Sequence, residues 1–321
     1  MAETRKSEDA LIEWIRARSV ARDASILLGI GDDMAMVRTG PEVLLTADML
    51  MDGVDFDSAR HAPDEIGRKA LAVSLSDCAA MAVRPRWAVV SVALPDAWGM
   101  AEARGLHTGI ERLAEEFEVR IVGGDTNSWK QPLVIDVTVL AEPWADIAPV
   151  TRSGMRPGDA IWVSGPLGGS LSGHHMSFRP RVREARALGA HYGNALHAML
   201  DLSDGLSTDG HRMASASGCG IILEERQLHE AASDAAKEAA RGDLEAIVKH
   251  VLDDGEDFEL LFAVAGDAGE PPAVPNSDGA RAARFVRIGV ATGEPGLRVR
   301  GGDGTLRDVE AGGWQHFTER A

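Results

Sequence analysis

Positive charge is what this chain has least of. Lysine is confined to Lys6, Lys69, Lys130, Lys237 and Lys249, and the 321 residues carry a formal net charge of -17. Nucleic acids and anionic membranes are bound through basic surface, so neither is expected as a partner. A nucleotide remains compatible, provided metal ions stand between the acids and the phosphates. No Gly-Lys-Ser/Thr triplet occurs, which excludes a phosphate loop of the usual Walker form. Cysteine is limited to Cys78 and Cys219, far apart and without metal-ligand spacing, which fits buried small apolar residues in a reducing compartment. No apolar run approaches the roughly 20 residues of a membrane helix, and the polar start Met1–Lys6 leads into an amphipathic pattern without a secretory core. The expectation is a soluble cytoplasmic protein.

What is present is an ordinary globular composition, 45% hydrophobic, in a chain long enough for two domains. The boundary is placed between residues 145 and 146. The most informative stretch is Gly29-Ile30-Gly31-Asp32-Asp33, where two glycines allow a tight turn and two carboxylates follow between apolar runs. Adjacent carboxylates repel and are costly to desolvate, a conflict that a divalent cation resolves and that a solvated surface turn avoids. The pattern repeats. Thr46-Ala47-Asp48, Ser76-Asp77, Gly124-Asp125, Asp201-Leu202-Ser203-Asp204 and Gly255-Glu256-Asp257 each set a carboxylate beside small or hydroxyl residues.

Apolar spacing predicts helices over 8–15, from Pro63 through Ser76-Asp77, over 97–117 and over 184–200, with two Ala-rich helices between Leu228 and Val251. Strands are predicted over 42–47, 87–94, 119–122, 133–140, 160–165, 221–223 and 258–264, with Gly123–Thr126 and Gly165–Gly169 as turns. Phe117 reads as core packing at a helix end, and His174-His175 as an exposed loop pair. Interleaved strands and helices indicate an α/β fold.

Six motifs, within a likeness that runs from about Gly29 to Phe317, resemble the thiamine-monophosphate kinases of the aminoimidazole ribonucleotide synthase superfamily. They are Gly29–Asp33, Ser76–Met81, Gly123–Thr126, Thr151–Gly154, Asp201–Leu206 and Gly255–Leu260. The resemblance implies a two-domain α/β (α+β) fold, with a mixed-sheet N-terminal domain that binds ATP and magnesium and dimerises, and an α/β C-terminal domain that completes the site. It implies ATP-dependent phosphorylation of thiamine phosphate, several Mg²⁺ ions and a homodimer. By motif position, Asp33, Thr46, Asp48, Asp77, Asp125, Asp201 and Asp204 would be metal ligands, with Asp32 a neighbour. Gly124, Asp125, Arg152 and Ser203 would bind ATP, and Asp55, Glu256 and Trp314 the substrate.

Donor and acceptor are both polyanions, so several positive charges must gather between them, and few lysines are available. The acceptor phosphate is already ionised, so neither a general base nor a covalent phosphoenzyme is required. Two positions depart from the family pattern: Asp55 stands where His is usual and Ala47 where Thr is common. The segment between Gly169 and Glu184 is also shorter. Those departures keep two alternatives in view, a superfamily enzyme with another phosphate acceptor and a non-catalytic nucleotide-binding relative. A selenophosphate synthetase is disfavoured because the first Cys is Cys78, and a hydrogenase-maturation relative because the chain ends Phe317–Ala321 without one.

Overall fold

The computed structural model describes residues 8–18, 24–30, 34–274 and 284–314. The chain divides into two compact units, one of Met1–Cys78 with Arg84–Pro143 and one of Ala79–Val83 with Trp144–Ala321. Among the described residues no helix is long and apolar enough to cross a membrane.

The first unit runs α1 (Glu8–Arg18), β1 (Ile26–Leu28), β2 (Met36–Val37), β3 (Leu44–Met51), α2 (Pro63–Ala80), β4 (Val83–Pro95), α3 (Met100–Glu116), β5 (Arg120–Trp129) and β6 (Val134–Pro143). Strands β1 and β2 form a short antiparallel ribbon. The other four make one sheet in the order β3-β6-β4-β5, with β3 and β6 antiparallel and β4 and β5 parallel. Helix α2 opens on Pro63 with Asp64 and Glu65 in its first turn, which suits the positive end of the helix dipole. It continues unbroken through Ser76-Asp77 and buries Ile66, Ala70, Leu71 and Leu75 completely. Glycines bring α2 and α3 into backbone contact. A Cβ on Gly67 would lie 2.0 Å from the Leu106 carbonyl oxygen, and one on Gly109 would lie 1.9 Å from that of Asp64.

The second unit runs β7 (Ala160–Val163), α4 (His174–Ser177), α5 (Val182–Tyr192), β8 (Leu196–Asp201), α6 (Leu206–Ser217), β9 (Gly220–Glu224), α7 (Glu225–Ala231), α8 (Asp234–Ala240), α9 (Leu244–Asp253), β10 (Leu260–Val264), β11 (Val286–Thr292), β12 (Gly296–Arg300) and β13 (Leu306–Asp308). Its sheet has seven strands in the order β13-β12-β9-β11-β7-β10-β8; β12 and β9 are parallel and the other neighbouring pairs antiparallel. Ile161, Leu200, Leu223, Leu261 and Ile288 from the strands share a core with Met213, Leu228 and Val251 from the helices.

Four expectations are corrected. The predicted helix over 184–200 ends at Tyr192, because Gly193 adopts φ 51° and Leu196–Asp201 pairs with β10 as a strand. Gly123–Thr126 is not a turn but the middle of β5, aligned with Val89–Val92 of β4. Three helices rather than two occupy the Ala-rich region, separated by the caps Ser233, whose Oγ accepts from Ala236 N, and Asp243, whose Oδ1 accepts from Glu245 N and Ala246 N. His175 is buried on α4, its Nδ1 3.1 Å from the Ser170 carbonyl, while His174 is exposed.

Candidate active site

Alternation along β3 sorts its residues into two faces. Thr46, Asp48 and Leu50 turn inward, whereas Leu45, Met49 and Met51 are exposed. The inward oxygens meet α2. Thr46 Oγ1 donates to Asp77 Oδ2, and the Ser74 hydroxyl donates to Asp48 Oδ2 at 2.7 Å and lies 3.0 Å from the Val137 carbonyl. Burial pushes the Asp48 carboxyl up to about 6; Asp77 and Asp136 push the same way, and the Ser74 hydroxyl opposes them. Two neighbouring carboxylates flanked by the Thr46 and Ser74 hydroxyls have the oxygen chemistry that a hard divalent cation takes. Among the described residues no group of three or more His, Cys, Asp or Glu is placed to hold a metal. Asp48 and Asp77 do not form a closed cage; their chemistry fits Mg²⁺, which takes one or two carboxylates and fills its shell with water and phosphate oxygens.

Asp125 lies elsewhere in this unit. It is exposed on β5, the opposite edge strand from β3, and with Gly124 it borders a cavity of about 860 Å³, within the range of small-ligand pockets. Leu106, His107 and Ile110 of α3 line that cavity, as do Gly29 and Ile30. Gly31, Asp32 and Asp33 fall outside the described residues. Burial, the largest influence, lowers the His107 imidazole from its ordinary value, and its ring stands edge-on to Trp14 at 5.6 Å. No sequence motif marked His107; its place on the inner face of an amphipathic helix is an ordinary core position. Phe117 is buried at the end of α3, as core packing requires.

Asp55 closes the turn that follows β3, its Oδ2 accepting from Met51 N at 2.7 Å. Its carbonyl accepts from the ammonium of Lys69, a lysine wholly buried on α2. Cys78 is buried, and burial together with Asp77 and Asp48 pushes its thiol far up, so it is unreactive.

In the second unit the motifs do converge. Asp201 ends β8, and the turn after it runs beside the Gly255–Glu259 segment: Glu256 N donates to Ser203 O at 2.7 Å, Phe258 N to Leu202 O at 2.8 Å and Leu202 N to Glu259 O at 2.8 Å. Glu256 and Phe258 both hold left-handed backbone, with φ 62° and 50°. This is a strained arrangement that non-glycine residues keep only when neighbours enforce it. The neighbours here are Ser170 Oγ, which donates to Glu256 O, and Phe178, whose ring stacks on Phe258 at 4.1 Å. Arg181 and Ser164 bind Glu259 beyond them. Trp314 N donates to Asp204 O at 2.9 Å, and the residue is 49% exposed. Arg152 is exposed in the segment preceding β7. In the turn at Gly165–Gly169, Gly168 N donates to Asp257 and Gly169 N to Asp254.

Residues 31–142 match the AIR synthase related protein, N-terminal domain family. Over 320 residues the chain is 36% identical to the thiamine-monophosphate kinase of Rhodopirellula baltica, covering 96% of this chain and 97% of that protein. The chain belongs to the thiamine-monophosphate kinase family. The crystal structure of the Stenotrophomonas maltophilia thiamine-monophosphate kinase is 30% identical with a TM-score of 0.73, covering 95% of this chain and 98% of that one. A second family structure, AaThiL complexed with AMPPCP and TMP, is 27% identical with a TM-score of 0.73 and covers 99% of both chains. Likeness across both units confirms the α/β two-unit fold expected from the motifs.

Proposed function

We propose that the protein transfers the γ-phosphoryl group of ATP directly to the phosphate of thiamine monophosphate, giving thiamine diphosphate and ADP. The observation that carries this reading is the 36% identity, over 96% of the chain, to a thiamine-monophosphate kinase. The Thr46–Asp77–Asp48 oxygen cluster supports it chemically. When bound, Mg²⁺ would supply the positive charge that lets two phosphate-bearing reactants approach in line. By motif position, Thr46, Asp48 and Asp77 would hold one such ion in the first unit and Asp201 and Asp204 another in the second, with Asp33 and Asp125 as further ligands. The 860 Å³ cavity beside Gly124 suits the base of the nucleotide, its apolar α3 wall taking the ring face. Arg152 would neutralise phosphate and Ser203 hydrogen-bond ATP. Glu256 and the exposed Trp314 suit the cationic thiazolium and the flat pyrimidine, with Asp55 at the acceptor phosphate. No residue is needed as base, because the attacking oxygen already carries charge.

The test is a coupled ADP-release assay with thiamine monophosphate and a panel of other phosphorylated acceptors, with and without magnesium. Magnesium-dependent turnover of thiamine monophosphate is expected; turnover of another acceptor alone, or binding without turnover, overturns the assignment. Trapping a phosphorylated protein would overturn direct transfer.

The same reading includes a cytoplasmic homodimer built on the first unit. It is supported by the apolar outer face of β3, where Leu45 is 74% and Met49 61% exposed. Light scattering is expected to give the mass of two chains, and Met49→Glu to shift the population to monomer. A monomeric wild type at micromolar concentration would remove the dimer from the proposal.

A further inference from the structure

Arg212 lies on α6, eight residues beyond Asp204, and belongs to none of the motifs. Its guanidinium spans two carboxylates: Nη2 is 2.6 Å from Asp204 Oδ2 and Nη1 is 2.7 Å from Asp209 Oδ1. The side chain of Asp209 is 3% exposed, and its other oxygen accepts from Asp204 N at 2.9 Å. Asp204 is thus held to one buried acid through its backbone and to the same acid's cation through its carboxylate. Its carbonyl is taken by Trp314 N. The Arg212 side chain is 43% exposed, so its head can return to water at small cost, whereas the backbone attachments of Asp204 cannot be released cheaply.

We propose that Arg212 is the resident counter-ion of Asp204, a positioning residue that must release Asp204 Oδ2 before that oxygen can ligate Mg²⁺, and that it thereby sets the magnesium affinity of the second unit. The inference rests on the reading of Asp204 as a magnesium ligand. Its physical content is competition between cations. A metal on the same oxygen would sit against the guanidinium, and two positive charges at contact distance repel unless one withdraws. In exchange, Arg212 keeps Asp204 and Asp209 from repelling one another while no metal is bound. Displaced from Asp204, it retains Asp209, so the buried acid is never left without a cation.

The experiment is a double-mutant cycle on the whole protein, with Mg²⁺ alone as the probe. It would be read by calorimetric titration and by the magnesium-induced shift in melting temperature of wild type, Arg212→Gln, Asp204→Asn and the double variant. Arg212→Gln is expected to lower the melting temperature of the metal-free protein, to enlarge the magnesium-induced rise and to tighten Mg²⁺ binding roughly fivefold, the size of a partly exposed pair. In the Asp204→Asn background the same change is expected to leave Mg²⁺ affinity unmoved. Unchanged affinity in Arg212→Gln, or the same gain in both backgrounds, overturns the proposal. Should the Gln variant not fold, Arg212→Lys is read instead; its point charge serves one carboxylate at a time. An intermediate gain is expected there, and wild-type affinity overturns the proposal equally. Thiamine monophosphate turnover by the wild type is measured alongside. Absence of turnover removes the reaction assignment and leaves the cycle intact, whereas turnover with a flat cycle removes only the role of Arg212.

Discussion

Asp48→Asn is expected to make the metal-free protein more stable at pH 7 and to reduce kcat/KM by at least about a hundredfold, as loss of a metal-binding carboxylate should. The stability gain follows from the raised carboxyl. Folding lifts Asp48 from 3.8 to about 6, so the folded state disfavours the charged form. A group displaced upward contributes stability that is fully present below pH 3.8 and lost as pH rises through about 6. At pH 7 the charged Asp48 is therefore a liability, on the order of 3 kcal/mol, which an uncharged isostere removes. Asp209, raised to about 6, and the buried Asp257, raised well above its ordinary value, act in the same direction. Metal-free wild type should consequently lose stability between pH 4 and pH 6, with Asp48→Asn showing a shallower slope. Magnesium should recover more stability at pH 7.5 than at pH 5. Chemical denaturation across that range, with and without the ion, checks all three. A variant no more stable than wild type at pH 7 would mean that burial does not penalise the Asp48 charge.

Gly124→Ala is expected to cost about 3 kcal/mol or more, among the larger effects of a single substitution, while Gly123→Ala should stay within about 1 kcal/mol of wild type. The contrast lies in the parallel pairing of β4 and β5. A Cβ on Gly124 would stand 2.0 Å from the Val90 carbonyl oxygen, main chain that cannot swing aside, whereas a Cβ on Gly123 meets nothing within 4 Å. The sequence motif assigned Gly124 to close approach of a nucleotide, and the sheet supplies a separate reason for the same residue. Urea denaturation together with the KM for ATP tells the two apart. Lost stability follows from the sheet, whereas wild-type stability with a raised KM would return the glycine to the nucleotide alone.

Much of the first unit was legible in the residues because its signals are local. Pro63 with Asp64 and Glu65 starts a helix wherever it stands, and Val43–Leu45 before Thr46 reads as a strand that delivers Asp48. The errors came where the partner is distant in sequence. Leu196–Leu200 has helical composition, and only its pairing with Leu261–Val264 makes it a strand. Gly123-Gly124 has the composition of a turn, and only β4 holds it extended. The same limit applies to the site. Asp48 and Asp77 could be picked out by their hydroxyl neighbours, yet Ser74 and Asp136, which act on Asp48, and Arg212, which pairs with Asp204, carry no local signature. They become visible when α2 is laid on β3 and α6 is wound past Asp204.

The glycine contacts between α2 and α3 bear on how this family can diverge. At Gly67 and Gly109 the two helices meet through main-chain atoms, so the rotational phase of α2 is fixed by groups that every sequence possesses. The apolar residues beneath the helix are then free to exchange volume among themselves without rotating Asp77 away from Thr46. Evolutionary turnover of the packing and fidelity of the acid cluster are thereby decoupled, and substitution of either glycine by a larger residue would couple them again.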